Sequence, residues 1–307
     1  MKLFCTKCGH PFEVEGDVTG QMANCPSCGE SFAVPTPQPV AVPEELPPAA
    51  LNKLRDPGER TAYGVVVALS VLGALLLVLW TILSVGGILL IIGILALATL
   101  IGNLLAAAHI KANAVEVTER QFPEVHAIIS SFARRLRKEP PAVYVMQQNV
   151  WNAFAAILAG KRYVVLYSGA IDSLLLKGSK AQLAWLIGHE LGHHFSGQLD
   201  FTRRMIVGMG AWLPWIDLWY SRRCELTCDR YGLACSASLI ESLRATCNMS
   251  VGAQLAQSVD IAQAIGQWHR HRGEFFVWLR TVSSTHPQTL WRMEALVDAA
   301  REMGFRQ

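Results

Sequence analysis

Residues 181–193 read Ala181-Gln-Leu-Ala-Trp-Leu-Ile-Gly-His189-Glu190-Leu-Gly-His193. The first eight form a good helix, and a helix puts side chains four residues apart on one face. His189 and His193 can therefore share one metal ion, and Glu190 beside them can take a proton from an attacking water. His194 falls on another face and is not read as a ligand.

A catalytic zinc site uses three protein ligands and keeps a fourth position open. Downstream lies Ser221-Arg-Arg-Cys-Glu225-Leu-Thr-Cys-Asp229. On a helix, Glu225 would face the metal. Asp229, one turn on, could accept a hydrogen bond from a ligand imidazole and set its tautomer. Alone, two acidic residues at this spacing are an ordinary solvated helix surface; after His-Glu-x-x-His they complete the site.

The chain around this pair of motifs has 307 residues, 51% hydrophobic and only 17% charged, with a net charge of +3. Globular proteins carry about 25% charged residues. The deficit is local, because Arg60 and Lys111 bracket a stretch without Asp, Glu, Lys or Arg. That excludes a purely soluble chain and, with this hydrophobicity, pervasive disorder. Ser84-Val-Gly-Gly87 interrupts the stretch near its middle, so it reads as two helices near 62–84 and 87–108, each of membrane length. The alternative is a buried hairpin in a soluble fold. Lys53, Arg55 and Arg60 flank one end and Lys111 the other, so the positive-inside rule puts both flanks in the cytoplasm. The expected location is the inner cell membrane, multi-pass, with both termini and the catalytic domain cytoplasmic. Met1–Cys8 has no apolar run, so no secretory signal is expected there.

At the N-terminus, Cys5-x-x-Cys8-Gly and Cys25-Pro-x-Cys28-Gly have the spacing of a four-cysteine zinc ribbon. Residues 1–34 are too few to fold on a hydrophobic core, so a structural zinc would supply the folding energy. A redox dithiol pair would need a βαβ context that is missing. Acidic residues outnumber basic ones here, which argues against nucleic acid and toward a protein partner. Seven of fourteen prolines fall in 35–58, which reads as a linker. The expected domains are thus a ribbon at 1–34, a Pro-rich linker at 35–60, a transmembrane hairpin at 61–110 and a metallopeptidase domain at 111–307.

In that last domain, 142–146 and 163–167 read as strands and 121–138 as an amphipathic helix. Together with the two metal motifs, residues from about 110 to 300 resemble the membrane zinc metallopeptidases that include the HtpX heat-shock proteases and the CAAX prenyl proteases. Asn152-Ala153-Phe154 resembles that family's strand beside the substrate cleft, and Ser168-Gly-Ala-Ile-Asp172 its strand-to-helix turn. His286-Pro287 with Arg292 resembles its late His-Pro element, which implies that His286 lies near the substrate or the oxyanion and that Arg292 belongs to the substrate cleft. The resemblance implies an α+β fold: a mostly helical gluzincin domain with a small mixed sheet. It departs at Cys228, where the family has a small residue, and in the short interval 194–224, where HtpX-type chains often carry two more spans. Met205–Tyr220 is too short and Pro-interrupted to cross a bilayer; Trp212, Trp215, Trp219 and Tyr220 would pack in the core or rest at the interface.

Two readings follow. One is a membrane-anchored zinc endopeptidase acting on protein or peptide substrates. The other is a membrane adaptor that recruits partners through its ribbon, with the peptidase domain as scaffold. An intact Glu190 favours the enzyme.

Overall fold

A computed structural model of the chain describes residues 2–4, 11–13, 22–29, 31–33, 50, 53–84, 87–148, 152–176, 179–210 and 212–305. Two compact units divide it, 1–42 and 43–307.

In the smaller unit, β1 (Lys2–Phe4) pairs antiparallel with β2 (Pro11–Glu13), and β3 (Met22–Asn24) with β4 (Ser31–Ala33). Cys25 is buried and Cys28 exposed in the turn between β3 and β4. The Gly29 N–H closes that turn on the Cys25 carbonyl over 2.9 Å, with φ at +72°, a conformation that glycine adopts without strain. Cys5 and Cys8 lie outside the described residues.

The larger unit begins with two long apolar helices, α1 (Pro57–Leu83) and α2 (Gly87–Asn113). Both run past the charged boundaries of the uncharged stretch. Pro57 opens α1, where a missing N–H costs no helical bond, and α2 continues through Lys111. Their most apolar segments reach mean hydropathies of 2.7 and 2.5. Leu75, Leu79, Ile82, Leu90 and Ile94 are all exposed. A buried hairpin would be covered; this one is bare over most of its length.

A four-stranded mixed sheet follows, built from β5 (Val115–Glu116), β6 (Ala142–Met146), β7 (Ala153–Leu158) and β8 (Lys161–Tyr167). The order is β5-β6-β8-β7, with β6 and β8 parallel and the other pairs antiparallel, so β7 is an edge. One face takes Ala107 and Ile110 from the end of α2 against Tyr144, Tyr163 and Val165. The main core includes Val143, Val164 and Leu166 together with α3 (Pro123–Arg135), α4 (Ser168–Leu176) and α5 (Lys180–Phe195). The α3 residues Val125, Ile129 and Phe132 recur at helical spacing and are buried there. The remaining helices are α6 (Phe201–Gly210), α7 (Pro214–Ser236), α8 (Leu239–Val251), α9 (Ala253–Ala256), α10 (Ile261–His271), α11 (Phe275–Val282) and α12 (Thr289–Met303). The fold is mostly helical, with the small mixed sheet the resemblance implies.

The end of the Pro-rich segment differs from a free linker. Ala50 and Leu54 are buried in the main core, Lys53 Nζ donates to the Glu302 carbonyl, and Arg230 donates to the Lys53 carbonyl. Apolar residues among prolines were enough to dock this stretch.

Helices α5 and α7 cross with almost no side-chain spacer. A Cβ on Gly232 would lie 2.8 Å from the Trp185 ring and from its carbonyl oxygen. The absence of side chains on Gly232 and on Gly188 and Gly192 opposite lets the two motif-bearing helices meet at backbone distance.

Candidate metal centre

Ser179 caps α5, its hydroxyl accepting from the Gln182 N–H at 3.2 Å. From that start the helix buries nearly every side chain and delivers His189, Glu190 and His193 to one end of its contact with α7. There Glu225 meets both imidazoles. His189 Nε2 lies 3.4 Å from Glu225 Oε2, and His193 Nε2 lies 3.7 Å from Oε1. One donor atom from each of the three residues falls within 4.8 Å of the others. Among the described residues no other such group of donors occurs.

The far nitrogen of each imidazole is engaged. His189 Nδ1 donates to Asp229 Oδ1 at 3.0 Å, and His193 Nδ1 donates to Gln198 Oε1 at 3.0 Å. With a metal bound, both hydrogen bonds would leave Nε2 as the lone-pair nitrogen facing it, the tautomer a metal requires. Asp229 is itself gripped by Arg292, with Nε to Oδ2 at 2.8 Å and Nη2 to Oδ1 at 2.6 Å. Two imidazoles and a carboxylate, converging with their tautomers fixed, fit zinc.

Electrostatics follow from burial and these partners. Burial resists protonation of His189, but Asp229 and Glu225 outweigh it and raise its pKa to about 9. Burial lowers the pKa of His193. Glu190 is raised to about 7 by burial, against the opposing pull of His189. Burial would raise Glu225 and Asp229 too, yet His189 holds the first, and Arg292 the second, below the usual carboxylate range. A divalent cation among the donors would add positive charge and favour the ionised carboxylates and neutral imidazoles.

A cavity of about 240 Å³ opens over the donors, lined by Asn152–Ala155, Trp185, Met249, His286 and Arg292 as well as the motif residues. Edge strand β7 supplies one wall. His286 stands at the mouth, its side chain 65% exposed, with Nε2 3.5 Å from Glu225 Oε1. Arg292 reaches the cavity wall, but its side chain is only 3% exposed and its guanidinium is committed to Asp229. The structure thus brings Glu190, His189, His193, Glu225, His286, Arg292 and Asn152-Ala153-Phe154 around one hollow, with Asp229 behind His189. His194 is elsewhere: buried, its Nε2 donates to the Tyr163 carbonyl on β8.

Two participants carry no sequence signal. Gln198 follows the helix end beyond Gly197, at no periodic offset from His193, and also donates to the Cys224 carbonyl at 3.3 Å. Glu59 of α1, 1% exposed, accepts from Thr227 and Arg203, which ties the first apolar helix to the Glu225–Asp229 turn.

A stretch of 138 residues is 29% identical to the plastoglobule-localized metallopeptidase 48 of Arabidopsis thaliana, covering 39% of this chain and 38% of that protein. A stretch of 108 residues is 31% identical to a protease HtpX homolog of Thermodesulfovibrio yellowstonii, covering 34% of this chain and 37% of the relative. The chain therefore spans less than two fifths of the curated relatives it matches. No solved structure matches it significantly. The sequence model of Peptidase family M48 matches residues 119–208 and 196–300, more than half of the chain and all of the donor set. With His189, His193 and Glu225 converging inside the matched region, the chain belongs to peptidase family M48.

Proposed function

We propose that this protein is a membrane-anchored zinc endopeptidase, with protein or peptide segments as substrates. The convergence of His189, His193 and Glu225 beside Glu190, under a cavity bounded by an edge strand, carries the reading. Zinc held by the three ligands would supply Lewis acidity toward the scissile carbonyl and the attacking water. Glu190 takes the proton of that water and returns it to the leaving amine. Asp229 and Gln198 hold the two imidazoles in their ligating tautomer. His286 at the mouth donates a hydrogen bond to the developing oxyanion. The free edge of β7, at Asn152-Ala153-Phe154, pairs with an extended substrate backbone. The full chain should cleave an unstructured protein such as casein, lose that activity to a chelator and regain it with zinc. Intact casein in the presence of fully zinc-loaded protein would instead favour the adaptor reading.

The N-terminal unit is proposed as a zinc ribbon with Cys5, Cys8, Cys25 and Cys28 as ligands. The closed Cys25–Gly29 turn supports it, since such a turn aims backbone amides at thiolates. Purified protein should then carry two zinc ions per chain. A single zinc, unchanged when Cys25 and Cys28 are both replaced by serine, would sink the ribbon.

Helices α1 and α2 are proposed to cross the inner cell membrane as a hairpin, with the ribbon and peptidase domain cytoplasmic. Their bare apolar faces and basic flanks support this. Reporter fusions after residue 58 and at the C-terminus should both report a cytoplasmic location. An external signal from either contradicts the topology.

A further inference from the structure

The interval between the two metal motifs does not fold away from the apolar helices. α6 runs down α1, starting at Tyr63, whose ring lies 4.4 Å from the Arg203 guanidinium. Lower down, Ser70 Oγ donates to the Ile206 carbonyl, a Cβ on Gly210 would lie 2.8 Å from the Val66 carbonyl, and the Met209 backbone packs on Gly73. At the turn into α7, Trp212 Nε1 donates to the Leu69 carbonyl at 3.4 Å. The elbow from α6 to α7 is thus seated on residues 66–73, inside the uncharged stretch of α1.

Its outer face is mostly apolar and uncovered, with Arg204 an exposed charge in the first turn of α6. Phe201 is 78% exposed, Met205 51%, Met209 37%, Trp212 46% and Trp215 66%. An apolar face of this kind needs a partner, and its position on α1 decides which. At 1.5 Å per residue the 27 residues of α1 are about 40 Å long, against about 30 Å of hydrocarbon. With Leu83 at the far boundary of an untilted helix, Val66 to Gly73 lie about 4.5 to 15 Å inside the near boundary of the hydrocarbon. Arg203, bound to Glu59, stands above that level. The same face that α1 offers to lipid therefore continues onto the elbow.

We infer that the α6–α7 elbow, Met205 to Trp215, is a monotopic lipid-binding element, inserted in the same leaflet that α1 enters and facing acyl chains through Met205, Met209, Trp212 and Trp215, with Phe201 at the headgroup level. The inference rests on α1 being a membrane span. It adds a second contact with the bilayer, made by the peptidase domain itself. The route from that contact to the metal is short: ten residues of α7 separate Trp215 from Glu225, about 15 Å of helix. Residues 56–59 of α1, just above the apolar run, touch Thr227 in the ligand-bearing turn. The metal centre is consequently held next to the lipid surface.

The test uses the full chain in phosphatidylcholine vesicles whose acyl chains carry bromine near the headgroup end, which quenches nearby tryptophan. Trp80, exposed in α1, reports the span; Trp212 and Trp215 report the elbow. The Trp80→Phe variant should keep clear quenching, and adding Trp212→Phe and Trp215→Phe should remove most of what remains. Trp80 and Trp215 are exposed, and Trp212→Phe gives up one hydrogen bond, to the Leu69 carbonyl, so the circular dichroism of the triple variant should match the wild type. Quenching that disappears with Trp80→Phe alone would overturn the elbow and leave the span standing. No quenching in the wild type would overturn the span, and the elbow with it. Blue-shifted elbow emission without bromine quenching would mean that a second copy of the chain covers this face, which also overturns the inference.

Discussion

Replacing Glu190 by glutamine should leave zinc content and fold unchanged and lower kcat by at least about 10³-fold, within the range contributed by a positioned general base. Glutamine keeps the size and hydrogen-bonding reach of the side chain, so packing at this 6%-exposed position survives. The three ligands are untouched. What goes is the ability to accept a proton from water. Burial raises Glu190 in the metal-free site, and a cation among the donors would favour its ionised form, the state that can accept a proton. The measurement is steady-state cleavage beside elemental analysis of the same preparation. KM should move little, because substrate pairing with β7 does not involve this side chain. Cleavage near the wild-type rate with zinc in place would assign the proton transfer to another group.

The motifs on α5 and α7 were legible because helix geometry acts locally. A spacing of four is enough to predict that His189 and His193 share a face, and that Glu225 and Asp229 do. Strand β6 was likewise legible from its β-branched residues, at the observed bounds. Strand β7 was not legible by composition, since Ala153-Phe-Ala-Ala-Ile-Leu158 has little β-branched content; only the resemblance placed it by the cleft. The outer ends of α1 and α2, expected near 62 and 108, lie at Pro57 and Asn113 for a physical reason. Charge marks where a membrane would stop, whereas a helix stops where its backbone bonds do. Least legible were contacts between charged residues far apart in the chain. Arg203 carries no motif or periodic signal in the sequence. In the fold it binds Glu59, 144 positions earlier, and locks α6 to α1. Arg292 read as a substrate-side residue, while its partner is Asp229. Periodicity carries no trace of such pairs, because each is specified by the fold and not by its neighbours.

That last pairing sharpens what Asp229→Asn should do. From the sequence, the change only weakens a hydrogen bond to a ligand imidazole, with metal affinity falling on the order of 10–100-fold. The structure adds a second cost. Arg292 is 3% exposed, and its guanidinium uses both Asp229 oxygens. An asparagine turns one of those oxygens into an amide that also donates, and it removes the only charge the guanidinium binds at these distances. Breaking a buried ion pair from one side typically costs about 3–5 kcal/mol. Asp229→Asn should therefore lower the melting temperature of the metal-free protein as well as its zinc affinity, whereas Glu225→Gln should strip zinc more completely. Added zinc should partly restore Asp229→Asn and help Glu225→Gln much less. Adding Arg292→Met separates the two roles of Asp229. Methionine fills part of the same space without a buried charge, so the double variant should regain much of the lost thermal stability. Its zinc affinity should stay low, because nothing replaces the carboxylate at His189 Nδ1. Thermal melts in chelator and zinc titrations on the same three proteins measure both quantities. If the double variant recovers zinc affinity along with stability, Asp229 acts on the metal only by neutralising Arg292, and the hydrogen bond to His189 does not set the ligand. If Glu225→Gln binds zinc as tightly as wild type, Glu225 is not the third ligand, and the centre must be completed by another group.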